Sequence, residues 1–133
     1  MELRNYLNTD CFLISGPSVW QVAYLGQTSQ SVGCRWVYND EKEGVVKLNG
    51  TYYKLFKRKF PEVITIEWWI VDLLNNNLSA SISFEQARPH LNQMLKNKEV
   101  DVESLLELTK VYGSEKVKYF VESCCVEAGC FVE

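Results

Sequence analysis

Histidine is almost missing from this chain: His90 is the only one in 133 residues. The sequence has no HExxH pair, no GxSxG elbow and no glycine-rich phosphate loop. The usual local signatures of zinc hydrolysis, serine nucleophiles and nucleotide cradles are therefore absent. Long apolar runs are also lacking. The longest are interrupted by Glu67 and Asp72, well short of the ~20 residues that a membrane helix needs. The first ten residues carry Glu2 and Asp10, and the apolar CFLIS at 11–15 is too brief for the centre of a signal peptide. The expectation is a cytoplasmic protein with no membrane contact. There is no excess of positive charge: 14 Lys+Arg stand against 17 Asp+Glu, a net −3. That argues against a general nucleic-acid binder, whose non-specific affinity comes mainly from neutralised phosphates. Internal repeats and low-complexity stretches are absent as well.

What is present is ample material for a core. Hydrophobic residues make up 47% of the chain and charged ones 23%, with four Trp, seven Tyr and six Phe, a composition of folded rather than disordered chains. The length suits a single domain, 1–133. The five cysteines are an odd number: Cys11, Cys34, Cys124, Cys125 and Cys130. Free thiols in a reducing compartment fit this better than a disulfide framework. The group Cys124, Cys125 and Cys130 lacks a CxxC pair and an evident fourth ligand, so no metal, no cofactor and no required disulfide are expected.

The pattern divides the chain into a strand–helix unit at 11–26, a β-meander at 34–66 and a helical part at 67–128. Leu3, Tyr6 and Leu7 suggest a helical turn before the strand CFLIS. Gly16-Pro17-Ser18 then turns into a predicted helix, SVWQVAYL, which Gly26 stops. A polar loop occupies 27–33. Strands are predicted at 34–39, 45–48, 51–58 and 62–66, with Asn49-Gly50 as a hairpin turn. From Glu67 the period changes from two to 3.6. EWWIVDLLNNN reads as one helix. Ser83 with Gln86 is a capping-box signature opening a second, with Ala87, Leu91, Met94 and Leu95 on its inner face. Asp101 and Ser114 cap two more. In the last helix Val117, Phe120, Val121, Cys124 and Cys125 form an inward stripe, and Phe120 and Val121 are expected to pack against the sheet. The expected fold class is α/β or α+β: a small mixed, largely antiparallel central sheet of four to five strands, with helices mainly from the C-terminal half.

Candidate chemistry is sparse. His90 lies beside core-facing Leu91 in a helix and has no local partner that marks catalysis, which leaves a Cys–His pair with Cys11 or Cys34 open but without a local signature. Glu67 and Asp72 are five apart and do not share a helix face, while Glu103 and Glu107 read as a solvated side. The basic hairpin strand offers more. Residues 1–66 carry eight Lys+Arg against six Asp+Glu, and residues 67–133 six against eleven. The positive charge concentrates in Lys54, Lys57, Arg58 and Lys59, interleaved with Tyr52 and Phe56. Such a mixture suits an acidic protein surface or a single-stranded nucleic acid. The same lysines also suit a solvated edge strand guarded against aggregation.

The order of the pieces resembles the C-terminal antitoxin domain of the abortive-infection, type IV toxin–antitoxin (AbiEi-like) family. The likeness is carried by ISGPSVWQVAYLGQTSQ at 14–30, KLNGTYYKLFKR at 47–58, ITIEWWIVDLLNN at 64–76 and VDVESLLELTKVYGSEKVKYFVES at 100–123. In that family a GPS turn opens a helix ending in a GLTTQ-like stretch, here Gly26 to Gln30. A basic hairpin, a helix near DLL and a phrase like Leu105 to Gly113 follow. These are structural phrases without a catalytic group. The winged helix-turn-helix usual at the front of the family has no counterpart, since CFLISGPS starts at residue 11. The resemblance implies a non-enzymatic protein that neutralises a partner by direct binding, the usual partner being a nucleotidyltransferase-like toxin. Three alternatives stay open: a nucleic-acid-binding accessory protein using hairpin 51–59, a phage-encoded inhibitor of a host defence system, and an enzyme of unseen type.

Overall fold

The computed structural model describes residues 1–27 and 33–130. Most of the polar loop expected at 27–33, the Thr28-Ser29-Gln30 part of the family-like phrase and the tail after Cys130 lie outside the described residues. The fold is α+β, with five helices and a four-stranded mixed sheet among the described residues. The chain forms two compact units. One comprises Met1–Val19 with Ser29–Val63, the other Trp20–Thr28 with Ile64–Glu133.

The first unit holds α1 (Leu3–Leu7) and strands β1 (Leu13–Ser15), β2 (Cys34–Asn39), β3 (Gly44–Leu48) and β4 (Thr51–Lys57). Strand order is β1-β2-β4-β3. Asn49 and Gly50 both adopt positive φ, 50° and 81°, which is what a tight two-residue hairpin between β3 and β4 requires. The expected meander is corrected in one respect. β4 does not stay at the outside but inserts between β2 and β3, and it runs parallel to β2. The Asn39 side chain organises the connection that makes this possible. Its Oδ1 accepts the N–H groups of Glu41 and Lys42 at 2.9 and 2.7 Å, and its Nδ2 donates to the carbonyl of Phe56 on β4 at 3.2 Å. One sheet face carries Val37 and Leu55, on which Leu7 of α1 packs with Leu3, Tyr6, Phe12, Val46 and Tyr53 around it.

Two predicted elements do not form. The segment 62–66 is not a strand: Ile66 is the first residue of α2 (Ile66–Asn75), and Thr65 caps it by accepting the Trp68 N–H. The β-branched run EVITI has the propensity of a strand, but a cap at Thr65 and an acid in the first turn, Glu67, favour the helix. The helix expected over 18–25 is only a short 3-10 turn, Trp20–Ala23. Its buried residues Trp20, Ala23 and Leu25 do not follow a helical face. Gln27 instead folds back, accepting the Leu25 N–H at 2.7 Å and donating to the Trp20 carbonyl at 3.1 Å.

That segment packs against α2, where the Trp20 indole donates to Asp72 Oδ2 at 3.0 Å in a buried site. The rest of the second unit is α3 (Phe84–Lys96), α4 (Val102–Tyr112) and α5 (Glu115–Glu127). Ser83 and Gln86 form the reciprocal capping box, and Asp101 and Ser114 cap α4 and α5. Val117, Phe120, Val121, Cys124 and Cys125 are all buried, as their i, i+3, i+4 spacing demands. Phe120 stacks on Phe84 of α3 with centroids 4.7 Å apart.

Candidate functional site

Alternation along β4 sends Tyr52, Lys54 and Phe56 to one sheet face and Tyr53, Leu55 and Lys57 to the other. The second face is the one α1 covers. On the first, the parallel register brings Trp36 of β2 beside Lys54 and Tyr38 beside Phe56. From the hairpin side, Val45 of β3 lies opposite Lys54, and Lys47 opposite Tyr52. Cross-strand neighbours of this kind are the pairs that touch within a sheet.

The result is an aromatic floor with cations set over it. The Phe56 ring lies 4.8 Å from that of Trp36 and meets the Tyr38 ring edge-on at 5.9 Å. The Arg58 guanidinium is 4.3 Å from the Phe56 centroid and 5.1 Å from that of Tyr38. Its Nη1 donates to the Tyr38 hydroxyl at 3.0 Å. The Lys54 ammonium lies 5.3 Å from the Phe56 ring, and that of Lys47 the same distance from the ring of Tyr52. Each such contact is worth about 0.5–1 kcal/mol at an exposed site. Together they hold long, flexible side chains in place. Trp36 packs over the Gly16 backbone, where a Cβ would come within 2.7 Å of its Cγ. The Gly16-Pro17-Ser18 turn thus supports this face and does not start a long helix.

Exposure rises across the face. Trp36 and Tyr38 are buried and Phe56 half-buried, while Tyr52 is 47% and Val45 63% exposed. Among the described residues neither Lys47 nor Lys54 is in an ion pair. Of the six residues singled out in the sequence, Tyr52, Lys54, Phe56 and Arg58 come together. Lys57 projects from the opposite face, and Lys59 lies beyond the strand end. Lys47, Val45, Trp36 and Tyr38 join the site, although sequence reasoning missed them. The alternation of Trp36 and Tyr38 was a usable signal, but the parallel pairing that sets them against β4 was not. Because β4 is an inner strand, its lysines do not guard an edge; the edges are β1 and β3.

Two other groups weighed for chemistry, Asp72 and His90, are engaged elsewhere. Asp72 accepts from Trp20, as described above. His90 meets the Tyr24 ring edge-on at 5.4 Å, and its Nε2 lies so close to Gly26 that a Cβ there would approach to 2.7 Å. Burial pushes the thiols of Cys124 and Cys125 up to about 11 and about 12, which suppresses the reactive thiolate. Among the described residues no group of three or more His, Cys, Asp or Glu is placed to hold a metal ion. No helix among them is long and apolar enough to cross a membrane. No protein family, curated protein or solved structure matches the chain.

Proposed function

We propose that this chain is a binding protein that acts on a protein partner by direct contact, using the cation-bearing aromatic face of its sheet. The observation that carries the reading is the placement of Lys47 and Lys54 over exposed or half-exposed rings on one face, without acidic partners of their own among the described residues. A cation held over an aromatic ring is pre-ordered, so less side-chain freedom is lost when a carboxylate arrives. Tyr52 adds a rigid contact of the kind enriched at interfaces. The fitting partner surface is acidic, with an apolar patch opposite Tyr52 and Val45. The partner class, a nucleotidyltransferase-like toxin neutralised by contact, rests on the resemblance of four sequence segments to type IV antitoxins. It remains the first candidate to test.

The position of Lys57 provides an internal control. Charge reversal of the face pair, Lys47→Glu with Lys54→Glu, is compared with reversal of the off-face pair, Lys57→Glu with Lys59→Glu. Each variant is first checked for an unchanged circular dichroism spectrum. Binding to the product of the adjacent gene, and rescue of growth when that product is expressed, are then measured. The face pair should weaken binding at least tenfold, about 1.4 kcal/mol, and the off-face pair by much less. Equal effects from both pairs would remove this face from the interface. A nucleic acid is the competing ligand, and its mark would be affinity falling steeply with log salt in the absence of any protein partner.

A further inference from the structure

The last turn of α5 ends in a Schellman motif. Gly129, at φ +73°, is the left-handed residue. The Cys130 N–H bonds to the Cys125 carbonyl at 2.9 Å, and the Gly129 N–H to the Val126 carbonyl at 3.1 Å. In this motif the side chains of the first and last residues are commonly neighbours, and here both are cysteines. Burial first, and then the neighbouring Cys130 thiol, push the Cys125 thiol up, and both thiols are free. Cys125 is fully buried and Cys130 half-buried. The carbonyl of Cys124, one position earlier, accepts the Ala128 N–H at 2.9 Å instead, so Cys124 is not the residue that the turn returns to.

We propose that Cys125 and Cys130 are a dithiol site that closes to an intrachain disulfide when a low-molecular-weight disulfide oxidises it. The half-exposed Cys130 reacts first. Its thiolate attacks the oxidant's S–S bond, forms a mixed disulfide and releases one thiolate. Cys125 then loses its proton and attacks the Cys130 sulfur, expelling the second thiolate. Two protein thiols lose two electrons, the oxidant is reduced to two thiols, and the protons go to the leaving thiolates. Burial disfavours the Cys125 thiolate, which sets this order and makes the second step the slower one. The left-handed glycine is what allows the approach, because a β-carbon there would strain the turn that places Cys130 over Cys125.

The test uses the intact chain, oxidised with glutathione disulfide and then denatured for thiol counting and mapping. Two of the five thiols should be lost to an internal bond, with a mass lower by about 2 Da. Cleavage after Glu122 and Glu127 should yield residues 123–127 joined to residues 128–133, and a reductant should separate them. That joined pair should persist in Cys124→Ser and be missing from Cys130→Ser, a change at a half-exposed position whose fold is checked by circular dichroism. Joined peptides that vanish in Cys124→Ser would overturn the assignment. So would oxidation that yields only glutathione adducts or links through Cys11 or Cys34.

Discussion

Phe120 is the most instructive residue to remove. Its side chain is 4% exposed. One face of the ring stacks on Phe84 at 4.7 Å and 24°, and the Arg88 guanidinium lies 5.1 Å from its centroid. Arg88 is itself held by Ser123 at 3.1 Å and by an ion pair with Glu127. Phe120→Ala therefore deletes a ring from a site whose walls are fixed on two sides and poorly able to collapse. Truncations of this kind cost about 3–5 kcal/mol. About 0.5–1.5 of that belongs to the stacked pair, and the rest to lost burial and the residual cavity. Against a total stability of roughly 5–15 kcal/mol, this is a large share. Urea unfolding, followed by tryptophan fluorescence and by far-ultraviolet circular dichroism, should show the midpoint falling by about 2 M for a slope near 2 kcal/mol/M. A cycle with Phe84→Ala should show coupling of about 0.5–1.5 kcal/mol. A loss below about 1 kcal/mol, or no coupling, would refute the assignment of this helix face and the packing of α3 against α5 at Phe120.

Two further outcomes are expected. Gly16→Ala should destabilise the protein by roughly 2–4 kcal/mol, from left-handed backbone strain and overpacking together, because φ is +92° and the new carbon would meet Trp36; an unchanged melting temperature would contradict the close approach. The buried thiols predict a pH dependence. Cys124 and Cys125 are raised from an ordinary 9.0 to about 11 and about 12. The unfolded chain thus loses these protons first as pH rises. Their contribution is fully present below pH 9 and is lost between about pH 9 and 12, with a limiting slope of about 1.4 kcal/mol per pH unit for each thiol. Denaturation at pH 8 and pH 10 should show this loss in the wild type and a smaller one in Cys124→Ala, and equal losses in both would exclude a thiol origin.

Legibility in the sequence tracked how local the cause was. The caps at Ser83, Asp101 and Ser114, the Asn49-Gly50 hairpin and the burial of the stripe from Val117 to Cys125 all depend on neighbours within a few residues, and each could be read directly; what the stripe packs on could not, for the sheet was expected and Phe120 stacks on Phe84 of α3. Segment 18–25 failed because its outcome depends on the Gln27 side chain and on Trp20 reaching Asp72, more than fifty positions away. Segment 62–66 failed because strand propensity competed with a helix cap, and the cap won. The parallel pairing of β2 with β4 has no local signature at all. It decides that β4 is an inner strand and that Trp36 and Tyr38 stand beside Lys54 and Phe56. The candidate site was therefore half legible: the β4 residues could be named, but their partners across the sheet and the separation of Lys57 from Lys54 could not.

The binding role of the sheet face can be tested without knowing the partner in advance. Tyr52 is replaced by a photoreactive benzoyl-phenylalanine, and the full chain is irradiated in its host. Tyr119 of α5, 68% exposed, receives the same replacement as the control position. The adduct formed at Tyr52 should be a single dominant protein, with its crosslinked peptide in an acidic surface region, and Lys47→Glu with Lys54→Glu should abolish it. The control position should not capture that protein. An adduct to nucleic acid, an adduct indifferent to the two lysines, or equal capture of the same protein from Tyr119 would contradict recognition through this face.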